Sequence, residues 1–174
     1  METENTIRIL LVDDEAKFLK AVADRLTVKG FEVTTAANGE DAVQAAKQGG
    51  FDGAVLDLQL PGMDGTQVLK ILKQSHRFIE IIMLTGHATV DSAVECTKLG
   101  AFGYLPKPYE LENLLQVLKD AFEERLKKKF EQDQDQLKVT NIMIKYPQLF
   151  DWLGFQDTNV VIIIILMLVV AGFN

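Results

Sequence analysis

Three carboxylates stand at the ends of apolar runs. Asp13 and Asp14 close the run Ile7-Arg8-Ile9-Leu10-Leu11-Val12, and Asp57 closes Ala54-Val55-Leu56. If the two runs are neighbouring parallel strands, these acids converge at one edge of a sheet, where their repulsion is costly unless a divalent cation offsets it. The pattern points to an acidic Mg2+ pocket. Two further strand ends add to the same edge. Ile81-Ile82-Met83-Leu84 finishes in the hydroxyl of Thr85, and Ala101-Phe102-Gly103-Tyr104-Leu105 leads through Pro106 to the ammonium of Lys107.

Positioning these groups requires five repeats of strand and helix. The first 109 residues alternate between short apolar runs and amphipathic stretches, the pattern of βα units around a parallel sheet. Strands are predicted at Ile7–Asp13, Phe31–Ala36, Gly53–Asp57, Ile79–Thr85 and Ala101–Leu105. Between them, Phe18, Leu19, Val22 and Leu26 recur at helical spacing, Asn38 is a cap with Asp41 at the third helical position, and Thr89 is a cap for a helix over Val90–Leu99. Most strands are continuously apolar, as expected when helices cover both faces, which favours an α/β sandwich. The second strand, with Glu32, Thr34 and Thr35, is the exception and is predicted to lie at the edge. Ligands of such sheets bind outside the carboxyl ends of the strands, where Asp13, Asp14, Asp57, Thr85 and Lys107 fall.

The fifth helix starts after Tyr109, and its apolar positions Leu111, Leu114, Leu115, Leu118, Phe122, Leu126 and Phe130 run further than the sheet needs. A protruding helix is expected, followed by a polar linker to residue 138. Composition then changes. Residues 139–174 carry only Lys145, Asp151 and Asp157 as charges, and residues 160–173 are uninterrupted by a polar side chain. As a helix of about 1.5 Å per residue this run would be roughly 21 Å long, short of a hydrocarbon core of about 30 Å. It reads as a truncated membrane span.

With 174 residues, 48% hydrophobic and 25% charged, the chain suits one ordinary domain and an appendage. A formal net charge of -7 argues against direct binding of nucleic acid, which relies on Lys and Arg neutralising phosphates. Cys96 is the sole cysteine, so an intrachain disulfide is excluded and a reducing compartment is the natural home. The acidic, polar start Met1-Glu2-Thr3-Glu4-Asn5 lacks the features of a secretory signal, so the cytoplasm is expected, with membrane association through the tail.

Asp13-Asp14, Asp57, Thr85 and Lys107-Pro108 together resemble the signature of the response-regulator receiver domain, the phosphoacceptor half of two-component signalling. The resemblance covers roughly residues 5–125 and includes Leu60-Pro61-Gly62-Met63-Asp64-Gly65 and Gly103-Tyr104-Leu105-Pro106-Lys107-Pro108. It implies a doubly wound, flavodoxin-like sheet of five parallel strands in the order 2-1-3-4-5, flanked by five helices. The corresponding division is a receiver over 1–125, an extended helix and linker over 126–138, and the apolar tail over 139–174.

Carried over position by position, the resemblance makes Asp57 the nucleophile that takes a phosphoryl group from a sensor histidine kinase or phosphotransfer protein. Asp14 and Asp57 would ligate Mg2+ with the Gln59 backbone carbonyl, Asp13 acting largely through water. Lys107 would hold phosphoryl oxygens, and Thr85 would hydrogen-bond the added group while Tyr104 turns inward. The surface of helix four, strand five and helix five would then change and meet a downstream protein. Apart from the resemblance, the Leu and Phe stripe of helix five reads first as a core face and second as a dimer or coiled-coil face. A cis peptide between Lys107 and Pro108 is also implied. The domain would be a phosphoacceptor with at most slow autodephosphorylation rather than an enzyme.

Two rival readings stand beside it. A haloacid-dehalogenase-type phosphatase also uses a strand-end aspartate and Mg2+, but expects a second aspartate two residues on, where this chain has Gln59. The other is a membrane-attached fragment dominated by the tail. There, Lys145-Tyr146-Pro147-Gln148-Leu149-Phe150-Asp151-Trp152-Leu153 and the apolar run resemble the entry to a transmembrane helix in permeases of lipoprotein-releasing ABC transporters.

Overall fold

The computed structural model describes residues 6–76, 78–86 and 89–132. Strands and helices alternate: β1 (Arg8–Val12), α1 (Ala16–Val28), β2 (Glu32–Ala36), α2 (Gly39–Gln48), β3 (Gly53–Asp57), α3 (Gly65–Ser75), β4 (Glu80–Thr85), α4 (Val90–Lys98), β5 (Gly103–Pro106) and α5 (Leu111–Gln132). The strands form one parallel sheet in the order β2-β1-β3-β4-β5. This is the order the resemblance implies, with the polar β2 at an edge.

Alternation along each strand divides the core in two. Leu11, Val55, Ile82 and Leu84 pack towards α1 and α5, with Leu19, Leu26, Leu114 and Phe122. Leu10, Val12, Leu56, Ile81 and Met83 pack the other way, towards Val68 and Leu72 of α3, Ala42 of α2 and Cys96 of α4. Both faces are apolar because both are covered, so each fully buried Leu or Ile contributes about 1.5–3 kcal/mol relative to exposure.

Local chemistry sets the helix ends. Asn38 Oδ1 accepts the Asp41 amide at 2.8 Å, the cap expected from sequence. Asp64 with Gln67 and Thr89 with Ser92 form reciprocal capping boxes at the starts of α3 and α4. After α1, Gly30 has φ of +90°, a conformation that costs a side-chain-bearing residue more than glycine.

Strand boundaries shift from expectation by one or two residues, β3 excepted. β1 ends at Val12, because Asp13 turns its carboxylate back to accept the Glu15 amide at 2.9 Å. β5 begins at Gly103 rather than Ala101, whose amide is still held by Cys96 O at the end of α4.

The long α5 also differs from a freely protruding helix. Leu126 is buried, Arg125 pairs with Asp52 and donates Nε to Phe78 O, and Lys128 Nζ meets Glu80 Oε1 at 2.6 Å. Glu80, nearly fully buried at the start of β4, also receives Lys73 of α3. Thus α5 stays docked through Lys128, against the edge of the sheet where strands begin. The expectations for Phe130, for residues 133–138 of the linker and for the tail lie outside what is described of this chain. Among the described residues no helix is long and apolar enough to cross a membrane.

Candidate functional site

The opposite edge, where strands end, gathers the chemistry. Leu11, Val55 and Leu105 all pack on the side of α1 and α5. Two residues further along stand Asp13, Asp57 and Lys107, so alternation brings all three over the same rim. Val12 is opposite Leu56 and Asp57 opposite Leu84, which sets the strand ends level. Carboxylate oxygens of Asp13, Asp14 and Asp57 lie within 4.8 Å of one another. Asp13 and Asp57 are buried and Asp14 is exposed.

Lys107 closes the arrangement. Its Nζ donates to Asp13 Oδ2 at 2.5 Å and to Asp57 Oδ2 at 2.7 Å. Its backbone amide donates to Thr85 O at 2.7 Å, fixing it to the end of β4. The Lys107–Pro108 bond is cis, as expected. On the second oxygen, Asp57 Oδ1 accepts the Gln59 amide at 3.2 Å. Gly65 lets α3 begin directly against this strand end, since a Cβ there would lie 2.2 Å from Asp57 O.

Electrostatics follow from burial and pairing. Burial lifts the Asp13 pKa above its ordinary value; the Lys107 hydrogen bond, the Glu15 amide and the Lys107 charge oppose this, while the Asp57 charge adds to it. Burial works against the Lys107 ammonium, but hydrogen bonds and charge from Asp13 and Asp57 outweigh it, so its pKa rises. The ammonium is thus firmly protonated between two acids.

The donor set suits a hard divalent cation. Three carboxylates converge, two buried and Asp14 at the surface, and one ammonium leaves part of their charge for a cation to offset. Asp13, Asp14 and Asp57 could hold such an ion.

Thr85, fully buried, ends β4 beside the cluster. It continues the alternation of Met83, on the side where Tyr104 also packs. Tyr104 is not gathered into the pocket. Its hydroxyl lies 2.7 Å from Ser92 Oγ, which also serves the α4 capping box.

The model of the response regulator receiver domain family matches residues 9–119. The chain belongs to this family. Its receiver is 38% identical over 113 residues to the transcriptional regulatory protein TcrA of Mycobacterium tuberculosis, covering 65% of this chain and 45% of that protein. Curated relatives are longer: the receiver-bearing chain spans about a quarter to a half of their length. Among solved structures, a CheY-like receiver domain protein from Methanospirillum hungatei JF-1 superposes with a TM-score of 0.68 and 31% identity, over 71% of this chain and 98% of that one. The beryllofluoride-activated NtrC4 receiver domain dimer gives 0.65 and 35%, over 68% and 98%. These likenesses bear out the flavodoxin-like fold. The family match stops short of the tail, and nothing in it supports the transporter resemblance there.

Three residues of the receiver's pocket surroundings escaped the sequence reading as contributors. Ser92 holds Tyr104. Phe18, seen only as part of a helical stripe, lies with its ring centre 4.9 Å from Lys107 Nζ. Tyr109, noted only as the residue before α5, packs edge-on against Phe18 with ring centroids 6.0 Å apart. No spacing signal could have found these contacts, which depend on side-chain reach across elements.

Proposed function

We propose that this receiver is a phosphoacceptor of two-component signalling in which Asp57 takes a phosphoryl group from a phosphohistidine of a sensor histidine kinase or phosphotransfer protein. The observation that carries the reading is the Lys107 ammonium held on Asp57 Oδ2 inside a three-carboxylate cluster at the strand ends. A carboxylate oxygen of Asp57 attacks phosphorus, the bond from phosphorus to the imidazole nitrogen breaks, and the electron pair leaves with the imidazole. An acyl phosphate results. Phosphoryl transfer asks mainly for alignment and charge neutralisation, which Lys107 and the pocket backbone provide.

Mg2+ is the cation that best fits the oxygen donors; Asp14, Asp57 and the Gln59 carbonyl would hold it, with Asp13 acting through water, and it would neutralise phosphoryl charge. Thr85 hydrogen-bonds the added group, and Tyr104 exchanges Ser92 for an inward position. This favours one of two existing states of the face formed by α4, β5 and α5. Exposed Val90 and Val94 on α4 support this face as the contact for a downstream protein. Self-association is supported by the dimer described for the NtrC4 receiver. The domain acts as a switch with at most slow autodephosphorylation. Gln59, where a haloacid-dehalogenase-type phosphatase needs an acid, supplies its amide to Asp57 and no carboxylate. A cytoplasmic setting agrees with a histidine-kinase donor and the lone Cys96.

The test is incubation with acetyl phosphate and Mg2+, followed by mass spectrometry. One phosphoryl group is expected on Asp57 and none in Asp57→Ala. Phosphate on another residue, or uptake unchanged in that variant, overturns the proposal.

A further inference from the structure

Tyr109 packs into the core beneath the pocket, and its ring shares Phe18 with the Lys107 ammonium. Its hydroxyl is buried and is the sole fully buried side-chain polar atom without a hydrogen-bond partner among the described residues. Such an orphan is expensive to keep, so its presence asks for a state in which it is satisfied. Burial, then the charges of Asp13 and Asp57, hold its pKa above the ordinary tyrosine value. It is therefore a neutral donor within the field of two carboxylates, with no acceptor in reach of it in this state.

A complementary deficit arises across the pocket when an anion arrives. Asp13 is fully buried, and its oxygens rely on the Glu15 amide and on Lys107. Lys107 is divided between Asp13 and Asp57. A tetrahedral anion on Asp57 brings new oxygens that draw the ammonium towards them and away from Asp13. Asp13 Oδ2 is then a buried carboxylate oxygen that has lost its protein donor and keeps only what water offers it. The resting pocket holds a donor without an acceptor, and the loaded pocket an acceptor without a protein donor.

We infer that Tyr109 is a positioning residue of the anion-loaded pocket, its hydroxyl idle at rest and donating to the Asp13 carboxylate once Lys107 turns to an anion on Asp57. The inference rests on the proposed role of Asp57. It fixes a pair of opposite signs for Tyr109→Phe, which removes one oxygen and keeps the ring against Phe18. At rest the variant loses an unsatisfied donor, so it melts at a higher temperature than wild type. Loaded, it lacks the donor, so beryllofluoride with Mg2+ binds about 10- to 150-fold more weakly, the loss expected for one hydrogen bond to a charged group. A merely structural tyrosine would not move the two measurements in opposite directions.

The experiment is a beryllofluoride titration of the full chain in Mg2+, wild type against Tyr109→Phe, with thermal melts of each before and after loading. Higher resting stability with weaker loading is the expected result. Equal beryllofluoride affinity, or a lower resting melting temperature in the variant, overturns the inference. Failure of the wild-type chain to bind beryllofluoride overturns the Asp57 reading and this inference with it, and is recognised because it needs no variant.

Discussion

The Tyr104 hydroxyl and Ser92 Oγ lie 2.7 Å apart, joining β5 to the first turn of α4. Ser92 simultaneously completes the capping box with Thr89, so one hydroxyl serves both the helix start and the aromatic ring. A rearrangement of Tyr104 must therefore be felt at the beginning of α4.

Ser92→Ala tests this coupling. The resting state loses a bond that the loaded state surrenders anyway, so beryllofluoride affinity should rise about 2- to 5-fold, while amides of residues 90–93 exchange hydrogen faster. An affinity equal to wild type would mean that Tyr104 keeps its place when the pocket fills.

Asp13→Asn should stabilise the Mg2+-free domain at neutral pH. Burial raises the Asp13 pKa in the folded state above its ordinary 3.8, so the fold binds that proton more tightly than the unfolded chain does. Whatever stability this gives is complete below 3.8 and is lost as pH rises through the folded value, leaving a charged Asp13 as a cost at neutrality. Thermal melts across pH should show the Asn variant ahead at neutral pH and level with wild type in acid. A variant less stable at neutral pH would mean that the Lys107 pair outweighs burial.

Lys107→Ala should lower the melting temperature without Mg2+ and tighten Mg2+ binding by about 3- to 10-fold. Ammonium and cation draw on the same Asp13 and Asp57 oxygens, and removing one leaves the acids to the other. Calorimetric titration measures this directly. Weaker Mg2+ binding would show that the two do not compete.

Gly65→Ala should both destabilise the domain, by about 1–3 kcal/mol for an overpacked site, and slow phosphoryl uptake. Its Cβ would stand 2.2 Å from Asp57 O and 2.8 Å from Leu58 Cα, so the end of β3 has to shift. Gly30→Ala is the contrast: it strains a positive φ after α1, with nothing within 4 Å of the added carbon. It should lower stability alone, with uptake unchanged in the same acetyl phosphate assay.

The alternation of apolar strands and amphipathic helices made Asp13, Asp57 and Lys107 legible, because strand ends in a parallel sheet share an edge whatever fills the loops. Asn38 was legible for a similar reason, since a cap acts within four residues of chain. Ser92 was not, because its tie to Tyr104 depends on which way two side chains lean from different elements. Nor was Glu80. A charge opening an apolar strand says nothing of Lys73 and Lys128, which reach it from two helices. Periodicity reports the face a residue occupies and leaves open which atoms meet there. The orphaned Tyr109 hydroxyl marks the limit, because an unmade bond leaves no trace in residue types.

The grip of Asp52 and Glu80 on Arg125 and Lys128 has a consequence for traffic around the molecule. Because α5 starts beside the acidic pocket and is fastened at the far pole, its last turns lie on the side away from the mouth that a phosphate donor must approach. A probe attached to those turns would leave that mouth open to visitors.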